Sequence, residues 1–139
     1  PSMFCVADAL DSLLWIKEIG GLPETIRRSN ENFKCLQGWV DQRPWIENLV
    51  IDPSNRSNTS VCLKFSDKRF VALNQDQKNR FVKEFVELLE AENAAFDIKG
   101  HRNAPPGLRI WCGATINLDD LQKLLPWLDW CFSETVSSY

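Results

Sequence analysis

Three residues able to carry positive charge fall within nine positions of this 139-residue chain: His101, Arg102 and Arg109. They bracket a segment in which Pro105 and Pro106 stand side by side, and each proline ring fixes its own φ. A guanidinium is a planar fork that grips a carboxylate or a phosphate through two parallel hydrogen bonds. A stiff loop loses less entropy when it closes on such an anion. One reading is an anion pocket, with Arg102 and His101 taking one anion and Arg109 another. The plainer reading puts Arg109 on the solvated face of an edge strand and Arg102 on an exposed loop. Local pattern leaves both open.

Other chemistries lack their residues. The five cysteines (Cys5, Cys35, Cys62, Cys112, Cys131) include no C-x-x-C pair, and one histidine cannot build a zinc constellation. No nucleophile elbow, phosphate-binding glycine loop or dinucleotide glycine pattern occurs. A Cys–His pair would have to use His101, and nothing local nominates its partner. The odd cysteine count suits a reduced, cytoplasmic chain with most thiols packed as small core residues. In such a chain the N-x-[ST] matches at Asn55 and Asn58 would stay unmodified. Six tryptophans suit core and interface packing. Trp127 and Trp130 are placed to line a partner surface, but no basic residues surround them as a base-stacking platform would need.

The elements that must position the cationic loop follow from periodicity. A helix is expected over 6–19, with Leu10, Leu13 and Leu14 on its apolar stripe, stopped by Gly20 and Gly21. A second runs from Pro23 to about Asp41, burying Ile26, Phe33, Leu36 and Val40 and solvating Glu24, Arg27, Arg28, Glu31 and Lys34. A short turn is expected over 45–49, a loop over 52–59 and a strand over 60–65. A brief extended piece is expected around Phe70 and Val71. Asn74 and Gln77 form a capping pair for a third helix, which buries Phe81, Phe85, Leu88 and Leu89 and ends near Asn93. Strands are expected over 95–98 and 108–112, on either side of the cationic loop. Asn117 caps a last helix, which Pro126 should kink or split. The fold class is α+β: a small, mainly antiparallel sheet with helices covering one face and an N-terminal connecting helix.

Composition narrows the partners. Sixteen basic against nineteen acidic residues leave a net charge of −3, with 44% hydrophobic and 25% charged residues. That is globular composition for one domain, without the basic footprint of a nucleic-acid binder. No apolar run approaches the roughly 20 residues of a membrane span, and no secretory leader pattern opens the chain. The start at Pro1 rather than Met suggests a piece cut from something longer.

The run PPGLRIWCGATI (105–116), the preceding GHR (100–102), SNTSVCLKF (57–65) and LLPWLDWCF (124–132) together resemble the C-terminal part of the phosphoserine aminotransferase family. GGLPETIRRSNENF (20–33) resembles that family's helix-turn-helix between large and small domains. The resemblance is collinear over nearly the whole chain. It implies the small C-terminal domain of a pyridoxal-phosphate enzyme of the aspartate-aminotransferase fold, a homodimer acting on glutamate and 3-phosphohydroxypyruvate to give phosphoserine and 2-oxoglutarate. It implies that residues 1–21 form the interdomain connecting helix and 22–139 the substrate-binding domain. It also implies that Arg109 binds the substrate α-carboxylate, and that Arg102 and His101 approach its phosphate. The Schiff-base lysine, the pyridinium partner and the stacking ring are expected before Pro1, so the fragment alone should be inactive and bind no cofactor. The rival readings are a free-standing anion-binding module, a same-fold aminotransferase with another substrate, and a dimerisation domain.

Overall fold

The computed structural model describes residues 2–139. Pro1, the expected edge of a cut, lies outside the described residues. The order is α1 (Met3–Glu18), α2 (Gly21–Val40), β1 (Ile46–Asn48), a 3-10 turn (Pro53–Asn55), β2 (Ser60–Phe65), α3 (Lys68–Ala72), α4 (Gln75–Ala91), β3 (Gly107–Trp111) and α5 (Leu118–Val136). The three strands pair antiparallel in the order β1-β2-β3. This is the expected α+β arrangement.

Strand alternation sorts the sheet into two faces. Val61, Leu63 and Phe65 of β2 and Leu108 and Ile110 of β3 are buried against Phe81, Phe85 and Leu89 of α4 and Leu128 and Phe132 of α5. Ser60, Cys62, Lys64, Arg109 and Trp111 share the other face, where they are half-buried or exposed. Aromatic rings fill the middle of the core. Trp45 stacks on Phe132 at 4.2 Å between ring centroids, and Phe65 meets Phe81 edge-on at 5.1 Å. Such pairs add about 0.5–1.5 kcal/mol each beyond the area they bury.

Two polar clusters, at Asn32 and Asp129, help fasten α2 to the rest. The buried Asn32 amide donates to the carbonyls of Cys112, Gly113 and Ile116 at 3.3, 3.4 and 3.0 Å, which ties α2 to the β3–α5 connection. Asp129 of α5 accepts from the Trp39 indole at 3.1 Å and from two nitrogens of Arg43 at 3.1 and 2.9 Å. The Asp of the Pro-Trp-Leu-Asp-Trp segment is thus a helix-to-helix bolt.

The helix and strand expectations hold for β2, for α4 with its Asn74–Gln77 capping box, and for the Gly20–Gly21 break, where φ is +116° and +76°. Several others are corrected. Residues 46–48 form a strand rather than a turn, because buried Ile46 lies opposite Phe65 on the core face. Phe70 and Val71 are helical: the Asp67 carboxylate accepts from the Arg69 N–H and starts a turn. Residues 95–98 are not a strand. Asn93 and Asp97 both take φ of 54°, which breaks the extended run, and only Lys99 bridges to Leu108. Ile26 is exposed, because the start of α2 projects beyond the core. Asn117 precedes α5 without capping it through its side chain; Arg28 takes its Oδ1 at 2.8 Å instead. Pro126 lies inside an unbroken α5. Its missing N–H would have met the carbonyl of Gln122, and both residues are exposed, so water can serve that carbonyl.

Asn32→Ala would remove the donor shared by three carbonyls and leave them buried without it. It should cost about 1–3 kcal/mol, measured as a lower urea midpoint at an unchanged denaturant slope.

Candidate functional site

The cationic loop is closed by backbone bonds before any side chain is considered. The Gly100 N–H donates to the Gly107 carbonyl at 2.9 Å, and the Arg109 N–H donates to the Ile98 carbonyl at 2.8 Å. Residues 99–108 therefore form a pinned excursion off the sheet. Within it, the Ala104 N–H donates to the His101 carbonyl at 2.8 Å, and the Asn103 N–H donates to His101 Nδ1 at 3.2 Å. At its foot β3 runs very close to β2. A Cβ on Gly107 would lie 2.2 Å from the Leu63 carbonyl oxygen, so only glycine fits.

This excursion and α4 enclose an open cleft of about 340 Å³. Lys99, His101 and Arg102 line it, with Pro105 and Pro106 along the loop and Asn79 and Val82 from α4. His101 and Arg102 are exposed. No acidic side chain lines the cleft. His101 and Arg102 thus line one cleft.

Arg109 is not in that cleft. It stands on the outer face of the sheet, opposite Cys62 across β2. Gly107, on the rim of the cleft, is two residues away, about 7 Å along an extended strand. The Arg109 guanidinium lies 3.5 Å from the Asp97 carboxylate; the two side chains are 38% and 90% exposed. A pair that open to water is weak, so Arg109 can exchange it for another carboxylate. The loop's cations therefore stand at two stations: Arg102 in the cleft beside α4, and Arg109 on the outer face of the sheet.

Two residues at the site were missed from sequence. Lys99 was legible as a third cation directly before Gly100. Asp97 was hidden by the strand expected over 95–98, which a left-handed residue interrupts.

Two of the five thiols are shut inside the core. Cys112 and Cys131 are fully buried, and burial pushes both up to about 12; burial also raises Cys35. Among the described residues no group of His, Cys, Asp and Glu could hold a metal ion.

No protein-family model matches the chain. It is 41% identical over 132 residues to a phosphoserine aminotransferase of Methanosarcina mazei, a match that takes in 95% of this chain and 33% of that protein. It is 39% identical over 133 residues to the Methanosarcina barkeri enzyme of the same name, covering 96% of this chain and 33% of that one. This chain is a homologue of the phosphoserine aminotransferases. It spans about a third of the length of the curated relatives it matches. Solved phosphoserine aminotransferases share its fold. The Bacillus circulans subsp. alkalophilus structure superposes with a TM-score of 0.69 at 21% identity, over 86% of this chain and 30% of that one. A pyridoxal-phosphate-bound structure from Trichomonas vaginalis does so at 0.66 and 22%, over 83% of this chain and 30% of that one.

The buried thiols make stability depend on alkaline pH. Their folded pKa is raised, so the unfolded chain gives up these protons first. Their contribution is intact below the ordinary thiol range, near 8.5, and is lost as pH climbs toward about 12. The urea midpoint should fall between pH 8 and 11. Cys131→Ala should show a shallower fall, and an unchanged slope in that variant would contradict the assignment.

Proposed function

We propose that this chain is the C-terminal, substrate-recognising part of a phosphoserine aminotransferase, which moves an amino group between glutamate and 3-phosphohydroxypyruvate in serine biosynthesis. The observation that carries the reading is the 41% identity, which runs through 95% of the chain, cationic loop included. The site's geometry supports it. Phosphoserine has a phosphate of about −1.5 to −2 charges at one end and a carboxylate at the other. In this reading Arg102 and His101 take the phosphate in the cleft, and Arg109 leaves Asp97 to take the α-carboxylate. Glutamate fits the same pair of sites, with its side-chain carboxylate where the phosphate would lie. Holding both ends orients the Cα–H bond for proton removal, which is where positioning lowers a barrier.

Pyridoxal phosphate supplies an electron sink in such enzymes when bound, and the residues present here do not form a site for it. None of the chain's lysines is buried, and the cleft that holds Lys99 is lined by neither an acid nor an aromatic ring among the described residues. The reading therefore assigns the Schiff-base lysine and the cofactor to the remainder of a longer protein. It gives this chain binding and orientation only. The same view makes residues 1–21 the connecting helix and 22–139 the small domain of a cytoplasmic homodimer. The surface of α1 supports that division. The helix buries none of its residues, and Phe4, Leu10 and Leu13 stand open to solvent, as befits a helix made to pack against something further.

In the full-length enzyme, Arg109→Ala should lower kcat/KM for phosphoserine and for glutamate by about 100-fold each, the loss of a charged two-bond contact. Arg102→Ala should reduce phosphoserine turnover far more than that of an unphosphorylated amino acid without a second anion. Transamination by the 139-residue chain alone, or equal losses for both amino acids in Arg102→Ala, would overturn the proposal.

A further inference from the structure

We infer that Lys99 is a third anion-binding residue of the loop cleft, and that its charge makes the cleft prefer a dianion to a monoanion. The inference rests on the phosphate-cleft reading above and adds a residue to it. A phosphate monoester brings up to two negative charges, and of the two residues already assigned to it only Arg102 is permanently charged. His101 offers its ring, whose Nδ1 is taken up by the Asn103 N–H. Arg102 brings one charge and two parallel donors, which leaves one charge unmatched on a dianion.

Lys99 is the group placed to match it. It lines the same cleft, and its backbone is anchored by the bridge to Leu108 on one side and the Gly100–Gly107 bond on the other. Among the described residues neither Lys99 nor Arg102 is in an ion pair. Among the described residues no carboxylate lines the cleft, so neither charge is compensated within the lining. Arg109 differs: it already has a weak, exposed carboxylate partner in Asp97, so that end is matched to a single carboxylate. The chain is acidic overall, but its cationic excess is gathered where a doubly charged group would sit.

The test is a titration of the chain with inorganic phosphate at neutral pH, followed by the amide signals of Gly100, His101 and Arg102, with acetate as the monoanion probe. Lys99→Gln should weaken phosphate about tenfold, the worth of one charged hydrogen bond, and acetate less than about twofold. Lys99→Arg should restore most of the loss. Lys99 is exposed, so its replacement leaves the core intact. Equal weakening of both anions in Lys99→Gln would overturn the dianion preference. Unchanged phosphate binding in that variant, with binding lost in Arg102→Ala, would remove Lys99 from the site and leave the cleft standing. No phosphate-dependent shift in the wild-type chain would overturn both.

Discussion

The pairing of β2 with β3 is the constraint on which the rest of the molecule depends. Strand side chains alternate, so the register that puts Cys62 opposite Arg109 also sends Leu108 and Ile110 into the core. A slip of one residue would bury a guanidinium and expose two core residues. The register is held from both ends. Gly107 lies too close to the Leu63 carbonyl for any side chain, and the Cys112 N–H donates to the Thr59 carbonyl at 2.6 Å. The cationic loop inherits its geometry from this pairing, since its closing bonds land on Gly107 and Arg109 themselves. The loop can be functional because it is built on the edge of a sheet rather than hung from flexible chain.

The helices stabilise that sheet through a few anchored contacts. Asn32 and Asp129 each satisfy several partners from one side chain, one against the β3–α5 connection and the other across α2 and α5. Buried polar groups of this kind fix the angle between elements because few geometries satisfy every partner at once. The Pro-Trp-Leu-Asp-Trp segment makes sense in these terms. Leu128 enters the core and Asp129 bolts α2, while Trp127 and Trp130 meet edge-on at 5.5 Å on the surface. The segment is chiefly architectural.

How much of this was legible in the sequence varied with the length and strength of each local signal. β2 was legible because three apolar residues alternate cleanly over six positions, and α4 because its cap and stripe agree. The first strand was not, since three residues carry no period and pairing with β2 decides their conformation. Residues 95–98 misled because apolar composition suggests a strand, while the left-handed Asp97 within it, invisible to composition, turns the chain. Asn32 read as a polar helix residue, and only the fold brings three carbonyls to it. At the site, the spacing of His101, Arg102 and Arg109 was visible as charge density, but not that the first two share a cleft and the third stands on the sheet.

Placing the cations at two separate stations has a physical consequence. Were Lys99, Arg102 and Arg109 all in one cleft, their mutual repulsion would add to the cost of holding them without ligand, and any anion of sufficient charge would satisfy them. In the proposed reading, separation turns charge attraction into a test of length, because only a molecule with anions at both ends would engage both. Asp97 sharpens this by offering Arg109 a weak partner in the absence of ligand, so that end discriminates by replacement rather than by raw attraction. The −3 net charge works in the same direction. An acidic surface discourages non-specific anions from accumulating, so in the proposed reading affinity would come from the local clamps and would fall for ligands that reach only one.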